Sequence, residues 1–200
     1  PDEVVKILVK LSVRRRLKGI LALQTDEDET TLSFLKQAIG LLVDGCSKEQ
    51  IKDTLSAEMY FFRMRRDETM RVLQTMADVA PCFGLVGSVV GIIGMLAGVG
   101  DPVVIMQTVP LALTSTLYGL IFANLLFFPF EAKIRERTVK ELFLQKLITE
   151  GILAISDELH PRLLGRKLNS FLTPSDRHKY FVSLRKAKKE IHVETLRETA

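Results

Sequence analysis

The sequence contains little of what catalytic, metal-binding or disulfide-rich domains depend on. Its 200 residues include two cysteines, three histidines and no tryptophan. Cys46 and Cys82 form neither a disulfide framework nor a metal-ligand spacing, which is typical of a reducing compartment. No histidine has a second ligand-type residue three or four positions later, and no Lys-Ser/Thr pair follows the glycines of 84–98 to form a phosphate loop. The sequence therefore predicts no enzyme, no metal site and no cofactor.

Charge is almost absent from the segment between Val79 and Phe130. Asp101 is its single charged residue, whereas the whole chain has 28 basic and 24 acidic residues. A bilayer imposes such segregation. The uncharged run 79–100 has 22 residues, and at about 1.5 Å per residue it is long enough to cross a hydrocarbon core of roughly 30 Å. The sequence predicts two membrane spans, 79–100 and 103–130.

The two predicted spans form a tight hairpin because only Gly100-Asp101-Pro102 separates them. Both outer ends then lie on one side of the membrane. Basic residues flank those ends, namely Arg63, Arg65, Arg66, Arg71, Lys133, Arg135, Arg137 and Lys140. The positive-inside rule puts this side in the cytoplasm. A buried hairpin in a soluble helical core is the alternative, but the rest of the chain has too little apolar surface to bury two such helices.

The basic excess does not indicate nucleic-acid binding, because it is small and dispersed. No secretory signal pattern opens the chain, and residue 1 is Pro rather than Met. The sequence is therefore expected to start inside a longer protein.

Small residues recur along one stripe of each predicted span. The residues that we expect to pack the two helices together are Gly84, Gly87, Gly91, Ala112 and Gly119. Small-residue stripes let helix backbones approach closely in lipid. The hydroxyls of the same stripes, at Ser88, Thr114, Ser115 and Thr116, have two interpretations. They face a partner helix or a water path, or they bond to carbonyls of their own helix.

Pro81 and Pro129 lie near the outer ends of the two spans. Antiparallel packing predicts that the two prolines are at a similar depth. Counted from that level, Ser88 would lie about 10 Å inward and Thr116 about 20 Å inward. The two hydroxyls would then mark two depths on one path.

The segments outside the spans have helical periodicity. Apolar residues repeat at helical spacing from Val4 to Leu23, and Ser47 with Gln50 forms a capping box. The predicted helices are 31–43, a helix from 48 into the first span, 103–158 and 162–171. The predicted segments are a cytoplasmic helical domain 1–78, the hairpin 79–130, a helical stalk 131–174 and a basic tail 175–200. The predicted fold is an all-α integral membrane protein whose hairpin helices extend into a cytoplasmic helical domain.

Three segments resemble a known family of membrane motors. MADVAPCFGLVGSVVGIIGMLAGVGDP at 76–102 and VPLALTSTLYGLIFANLLFFPFEAKIRER at 109–137 are similar to the third and fourth transmembrane helices of MotA-type flagellar stator subunits. LITEGILAISDELHPRLLGRKLNSFL at 147–172 resembles the cytoplasmic segment that follows, and it favours this type over the related ExbB and TolQ. The match covers residues 1–175. The first two transmembrane helices of the family have no counterpart, which implies truncation or, as the alternative, an assembly partner that supplies them.

The resemblance implies an ion-conducting stator subunit that couples proton or sodium flow to torque, and so to swimming. In the family, a pentamer of A-type subunits surrounds a dimer of a MotB-type peptidoglycan-binding subunit and pushes on the rotor switch ring. This implies the bacterial inner membrane as the location, with both ends of the chain in the cytoplasm and contact with lipid. No cofactor beyond the transported ion is implied. An ExbB/TolQ-like energiser of outer-membrane processes and a passive membrane scaffold are the alternatives.

The resemblance also implies roles for residues of the spans. Pro81 and Pro129 correspond to the family prolines that couple ion passage to shape change. Thr116 corresponds to the hydroxyl of the fourth helix that faces the ion path. Ser88 stands where the family usually has Thr or a small residue.

The rotor contact implied by the resemblance lies in RLKGILALQ at 16–24. Arg16 matches the basic residue of the family pattern, whereas Gln24 stands where the family has an acid. Arg14 and Arg15 would add to the basic half, and the cluster 26–29, which includes Glu27, would supply the acidic half. A solvated face, or attraction to anionic lipid, is the alternative for these charges.

Overall fold

The structure, a computed structural model, describes residues 2–23, 32–97 and 102–171, and every regular element in those ranges is helical. The predicted all-α fold is therefore confirmed. The elements in chain order are α1 Asp2–Lys18, a 3-10 turn Ile20–Ala22, α2 Ser33–Val43, α3 Lys48–Ala97, α4 Pro102–Ile121, a π-helical segment Phe122–Phe127, α5 Phe128–Ser156 and α6 Pro161–Asn169. The predicted basic tail 175–200 and the acidic cluster 26–29 lie outside the described residues.

The capping box predicted at the start of α3 is confirmed. The backbone N–H of Gln50 donates to Ser47 Oγ at 3.3 Å, and the N–H of Ser47 donates to Gln50 Oε1 at 2.8 Å. These two bonds satisfy donors that a helix start leaves without partners. The helix then continues for 50 residues and includes Pro81. The prediction of an unbroken helix from 48 into the first span is correct.

The second long helix differs from its prediction. A continuous helix was expected over 103–158, but the backbone changes to π-helical hydrogen bonding over Phe122–Phe127. Here the N–H of Phe128 donates to the carbonyl of Ala123, five residues earlier. Pro129 follows at once. In a regular α-helix its ring would press on the carbonyl four residues before it, so the proline is a local cause for the wider turn.

The chain divides into two compact units. The first comprises 1–60 and 141–200, and the second comprises 61–140. The second unit contains the predicted hairpin 79–130 together with its flanks. The membrane boundaries predicted at 79, 100, 103 and 130 stay predictions.

The first unit has an ordinary apolar core. Helices α1, α2 and α6 and the ends of α3 and α5 contribute buried Leu, Ile and Val side chains, among them Leu8, Leu35, Ile51, Ile152 and Leu164. At Gly151 an added Cβ would lie 2.5 Å from Leu8 Cδ1, so α1 packs directly on this glycine.

Two ion pairs lie at the surface of the same unit. Lys48 Nζ is 2.6 Å from Asp157 Oδ2, and Lys167 Nζ is 2.6 Å from Glu150 Oε2. The hydrogen bond to Asp157 is the main cause that raises the pKa of Lys48 above its usual value.

The second unit has the opposite burial pattern. Its large apolar side chains are exposed, with Val90 at 61% and Leu125 at 77%, whereas its buried apolar residues are alanines, for example Ala112 and Ala123. Among the described residues, α3 and the helical stretch Ile105–Ser156 are long and apolar enough to cross a membrane, and 6% and 17% of their most apolar windows are buried. A core helix of a soluble protein is mostly buried. The pattern therefore favours lipid around the hairpin.

Candidate functional site: the transmembrane hairpin

Small residues make the closest approach between α3 and α4. A Cβ added at Gly119 would lie 2.8 Å from the Ala80 carbonyl oxygen, and one added at Gly91 would lie 2.8 Å from Ala112 Cβ. One added at Gly84 would be 3.0 Å from Thr116 Cα. Ordinary contacts between carbon atoms are about 3.5–4.0 Å. The two helices are thus in direct contact at these glycines, where there is no room for a larger side chain.

Gly87 also lies at this contact, because an added Cβ would collide with the Ser115 side chain. The structure therefore places all five predicted packing residues between the two helices. Gly94 differs, since nothing lies within 4 Å of a Cβ added there. Gly98 lies outside the described residues.

The hydroxyls of Ser88 and Thr116 are hydrogen-bonded to each other across the hairpin. Ser88 Oγ is also 2.7 Å from the Ala112 carbonyl oxygen and 3.2 Å from that of Gly84. A hydroxyl has one proton to donate. Either hydroxyl could donate in the bond between them. Where Ser88 donates to the Ala112 carbonyl, its shorter carbonyl contact, Thr116 can donate to Ser88; Thr116 Oγ1 is also 3.4 Å from the Gly84 carbonyl oxygen. The result is a short relay, Thr116 to Ser88 to the Ala112 carbonyl, which joins the helices.

The contact between Ser88 and Thr116 corrects the prediction that these hydroxyls mark two depths. The two hydroxyls lie at one depth. The register of the helices is set by contacts between small residues, and the outer ends of the two spans are therefore not level. Gly119 lies beside Ala80, so Pro129, about ten residues further along the chain, is roughly 15 Å beyond the level of Pro81. The structure does not bring Pro81 and Pro129 together.

The other two hydroxyls of α4 do not join the relay. Thr114 Oγ1 donates to the Pro110 carbonyl at 2.7 Å on its own helix, which is the second of the two interpretations given above. Ser115 lies half-buried against Gly87. Neither hydroxyl adds a further polar link to the Ser88–Thr116 pair.

Asn124 is a polar residue of the second span that the sequence analysis missed. It lies within the π-helical segment, and its Nδ2 donates to the Leu120 carbonyl at 2.9 Å. The available signal was an amide in an apolar stretch, since polar residues in membrane spans are rare and often functional. Asn124 therefore satisfies a carbonyl at the point where α-helical bonding stops.

An open cleft of about 470 Å³ adjoins the close crossing. Its lining comprises Ala80, Phe83, Gly84, Ser115, Gly119, Phe122 and Phe127, which are apolar apart from one hydroxyl. The described parts of the two spans carry no charged side chain. No group of His, Cys, Asp and Glu within the described ranges could hold a metal ion. The described parts of the two spans thus offer hydroxyls and carbonyls, but no carboxylate, to an ion.

The three arginines predicted to face a rotor lie near the end of α1 in the other unit. The Arg15 side chain is 12% exposed, and its Nη2 is 3.6 Å from Glu158 Oε1. Arg16 Nη2 donates to the Glu158 carbonyl at 3.0 Å. Arg14 is half-buried. Gln24 and Glu27, the other two predicted contact residues, lie outside the described residues.

The energy of the hydroxyl pair can be measured by a double-mutant cycle. We expect Ser88→Ala and Thr116→Val each to destabilise the hairpin, with a coupling free energy of about 0.6 kcal/mol, the average for hydrogen bonds between membrane helices. Unfolding of the full-length protein in mixed detergent micelles would measure it. Strictly additive effects of the two substitutions would contradict the relay, and Thr114→Val is the control because its bond stays within one helix.

Comparisons with known proteins agree with the fold and the hairpin. The chain is 35% identical over 174 residues to Motility protein A of Borreliella burgdorferi. This alignment covers 87% of this chain and 67% of that protein. It is 33% identical over 177 residues to Chemotaxis protein PomA of Vibrio alginolyticus, and this alignment covers 88% of this chain and 69% of PomA.

A solved structure with the same fold is the flagellar MotAB stator complex from Bacillus subtilis. The TM-score is 0.83 at 26% identity, and the likeness covers 90% of this chain and 70% of that one. Residues 26–146 match the MotA/TolQ/ExbB proton channel family, which is not an enzyme class. The resemblance found in the three sequence segments is therefore confirmed, and the chain belongs to the MotA/TolQ/ExbB proton channel family.

Proposed function

We propose that this chain is an ion-conducting stator subunit of the bacterial flagellar motor, which couples proton or sodium flow to torque. The observation that carries the proposal is the structural likeness to the flagellar MotAB stator complex over 90% of the chain. The relatives named for motility and chemotaxis support the same conclusion.

The chemistry of the hairpin supports an ion path that is formed jointly by this chain and a second subunit. A mobile proton or sodium ion requires a group that can carry it, and the described spans contain no carboxylate. The carrier is therefore a carboxylate of a MotB-type subunit. Ser88 and Thr116 provide the polar part of the wall beside it, since they are the hydroxyls that meet where the helices are closest. Pro81 and Pro129 transmit the change to the segments outside the membrane.

The exposed surfaces support the proposed assembly. The large apolar side chains around the hairpin provide area for lipid, for further copies of the chain in a pentamer, and for the helix of a peptidoglycan-binding partner. The basic flanks favour the inner membrane with both outer ends in the cytoplasm. There, the arginines at positions 14–16 contact the rotor switch ring.

Deletion of the gene tests this function directly. In a strain without other stator genes, we expect deletion to abolish swimming while flagellar filaments still assemble, and the full-length gene to restore swimming. An ExbB/TolQ-like role predicts normal swimming with a defect in outer-membrane uptake or integrity. Normal swimming and a normal envelope would favour a passive scaffold, and either result would refute the stator proposal.

A further inference from the structure

Glu158 lies in a turn that holds it over the arginines at the end of α1. Its φ is 54°, in the left-handed region that residues other than glycine seldom adopt. The turn is held by bonds from the Glu158 N–H to the Ile155 carbonyl at 3.0 Å and from the Leu159 N–H to the Ala154 carbonyl at 3.1 Å. Such bonds are typical of a helix C-terminus. The position of Glu158 is therefore fixed by the backbone.

A cleft of about 250 Å³ separates this turn from α1. It is lined by Ser12, Arg15, Arg16, Gly19, Ile20, Ile155, Glu158 and Leu159. Arg15 Nη1 is buried in the structure without a hydrogen-bond partner among the described residues. The 3.6 Å between Arg15 Nη2 and Glu158 Oε1 is too long for a good hydrogen bond. The guanidinium thus has donors that its present partner does not satisfy.

The two contacts of Glu158 differ in how easily they can be broken. Arg16 bonds to the backbone carbonyl of Glu158, which the turn keeps in place. The Glu158 carboxylate is on a side chain that is 78% exposed, and exposed ion pairs contribute little. Arg15, by contrast, is mostly buried and would gain from a carboxylate that bonds both of its terminal nitrogens. The carboxylate of Glu158 is therefore the replaceable part.

We propose that the Glu158 carboxylate is a displaceable occupant of the arginine cleft: it faces Arg15 in the free stator, and an acidic side chain of a partner protein takes its place. The inference rests on the proposed function, in which these arginines contact the rotor. The apolar walls at Ile20, Ile155 and Leu159 suit the methylene groups of a Glu or Asp side chain on a protein surface. Glu158 then limits rotor affinity until docking occurs.

Binding of the purified switch-ring protein to the full-length stator complex in detergent tests the proposal. Glu158→Gln keeps the shape of the side chain but removes its charge, so we expect the Kd to fall about threefold, which is within the range for an exposed ion pair. Asp157→Asn is the matched control. It removes the same charge one residue earlier, but Asp157 pairs with Lys48 at 2.6 Å and is not the partner of the arginines. Its Kd should equal that of the wild type.

A Kd that is unchanged or higher in Glu158→Gln, or that falls equally in Asp157→Asn, would overturn the displacement. Arg16→Glu in the same assay separates the two proposals. If it weakens binding while Glu158→Gln has no effect, the rotor contact stands and the displacement fails. If Arg16→Glu binds like the wild type, the rotor contact at this cleft fails, and the displacement fails with it.

Discussion

Replacing Gly119 with alanine is expected to destabilise the hairpin by about 1–3 kcal/mol, the usual cost of adding a methyl group to a well-packed interface. The added Cβ would lie 2.8 Å from the Ala80 carbonyl oxygen and 3.1 Å from Gly84 Cα. Both are backbone atoms, which cannot rotate away as a side chain would. The helices must therefore separate, and the Ser88–Thr116 bond must lengthen.

The matched control is Gly94→Ala, because nothing lies within 4 Å of a Cβ at that position. Alanine is the better helix former by about 1 kcal/mol, so this variant should be as stable as the wild type or more so. Unfolding midpoints of the full-length protein in detergent measure both effects. Equal midpoints for the two variants would show that the close crossing does not hold the hairpin together.

Features encoded in neighbouring residues were predictable from the sequence. The capping box at Ser47 and Gln50 depends on residues three positions apart, and its two bonds form as expected. The uncharged runs and the stripes of small residues likewise follow from the period of a helix. The uninterrupted helix predicted from Lys48 into the first span is observed as Lys48–Ala97.

The register of the hairpin was not predictable from local pattern. Counting inward from Pro81 and Pro129 assumed that the outer ends are level. The packing of Gly119 on Ala80, and of Gly91 on Ala112, sets a different alignment. That alignment depends on the fit between two helix surfaces that are distant in sequence. Periodicity identifies the stripe of small residues on each helix, but it does not give the position of one helix along the axis of the other.

Two further features lay beyond sequence pattern. The π-helical segment depends on how the backbone accommodates Pro129, and a proline equally permits a kink or a helix end. The contact of Arg16 with Glu158 joins residues 142 positions apart. Such a pair is defined only when α1 packs against the end of α5, so the sequence did not show which arginine contacts Glu158.

Pro129→Ala is expected to leave the assembled stator intact but to lower swimming speed and ion flux by about tenfold. Alanine restores an N–H and removes the ring that opposes α-helical bonding, which favours the helix interior by about 3 kcal/mol. The π-helical turn at Phe122–Phe127 then loses its local cause and reverts to α-helical bonding. A π-helical turn contains about one residue more than an α-helical turn. The change therefore rotates the residues that follow the turn by roughly 100° about the helix axis, relative to Gly119.

This rotation separates the role of Pro129 from a general effect of removing a proline. Pro110→Ala is the control, since Pro110 lies in α4, outside the π-helical segment. A tenfold loss of ion flux corresponds to about 1.4 kcal/mol. This is less than the change in helix propensity of about 3 kcal/mol, so the substitution is large enough to cause it. Swimming and flux at wild-type level in Pro129→Ala, with assembly intact, would show that the proline and its turn do not couple ion passage to movement, and torque would then have to be transmitted through α3.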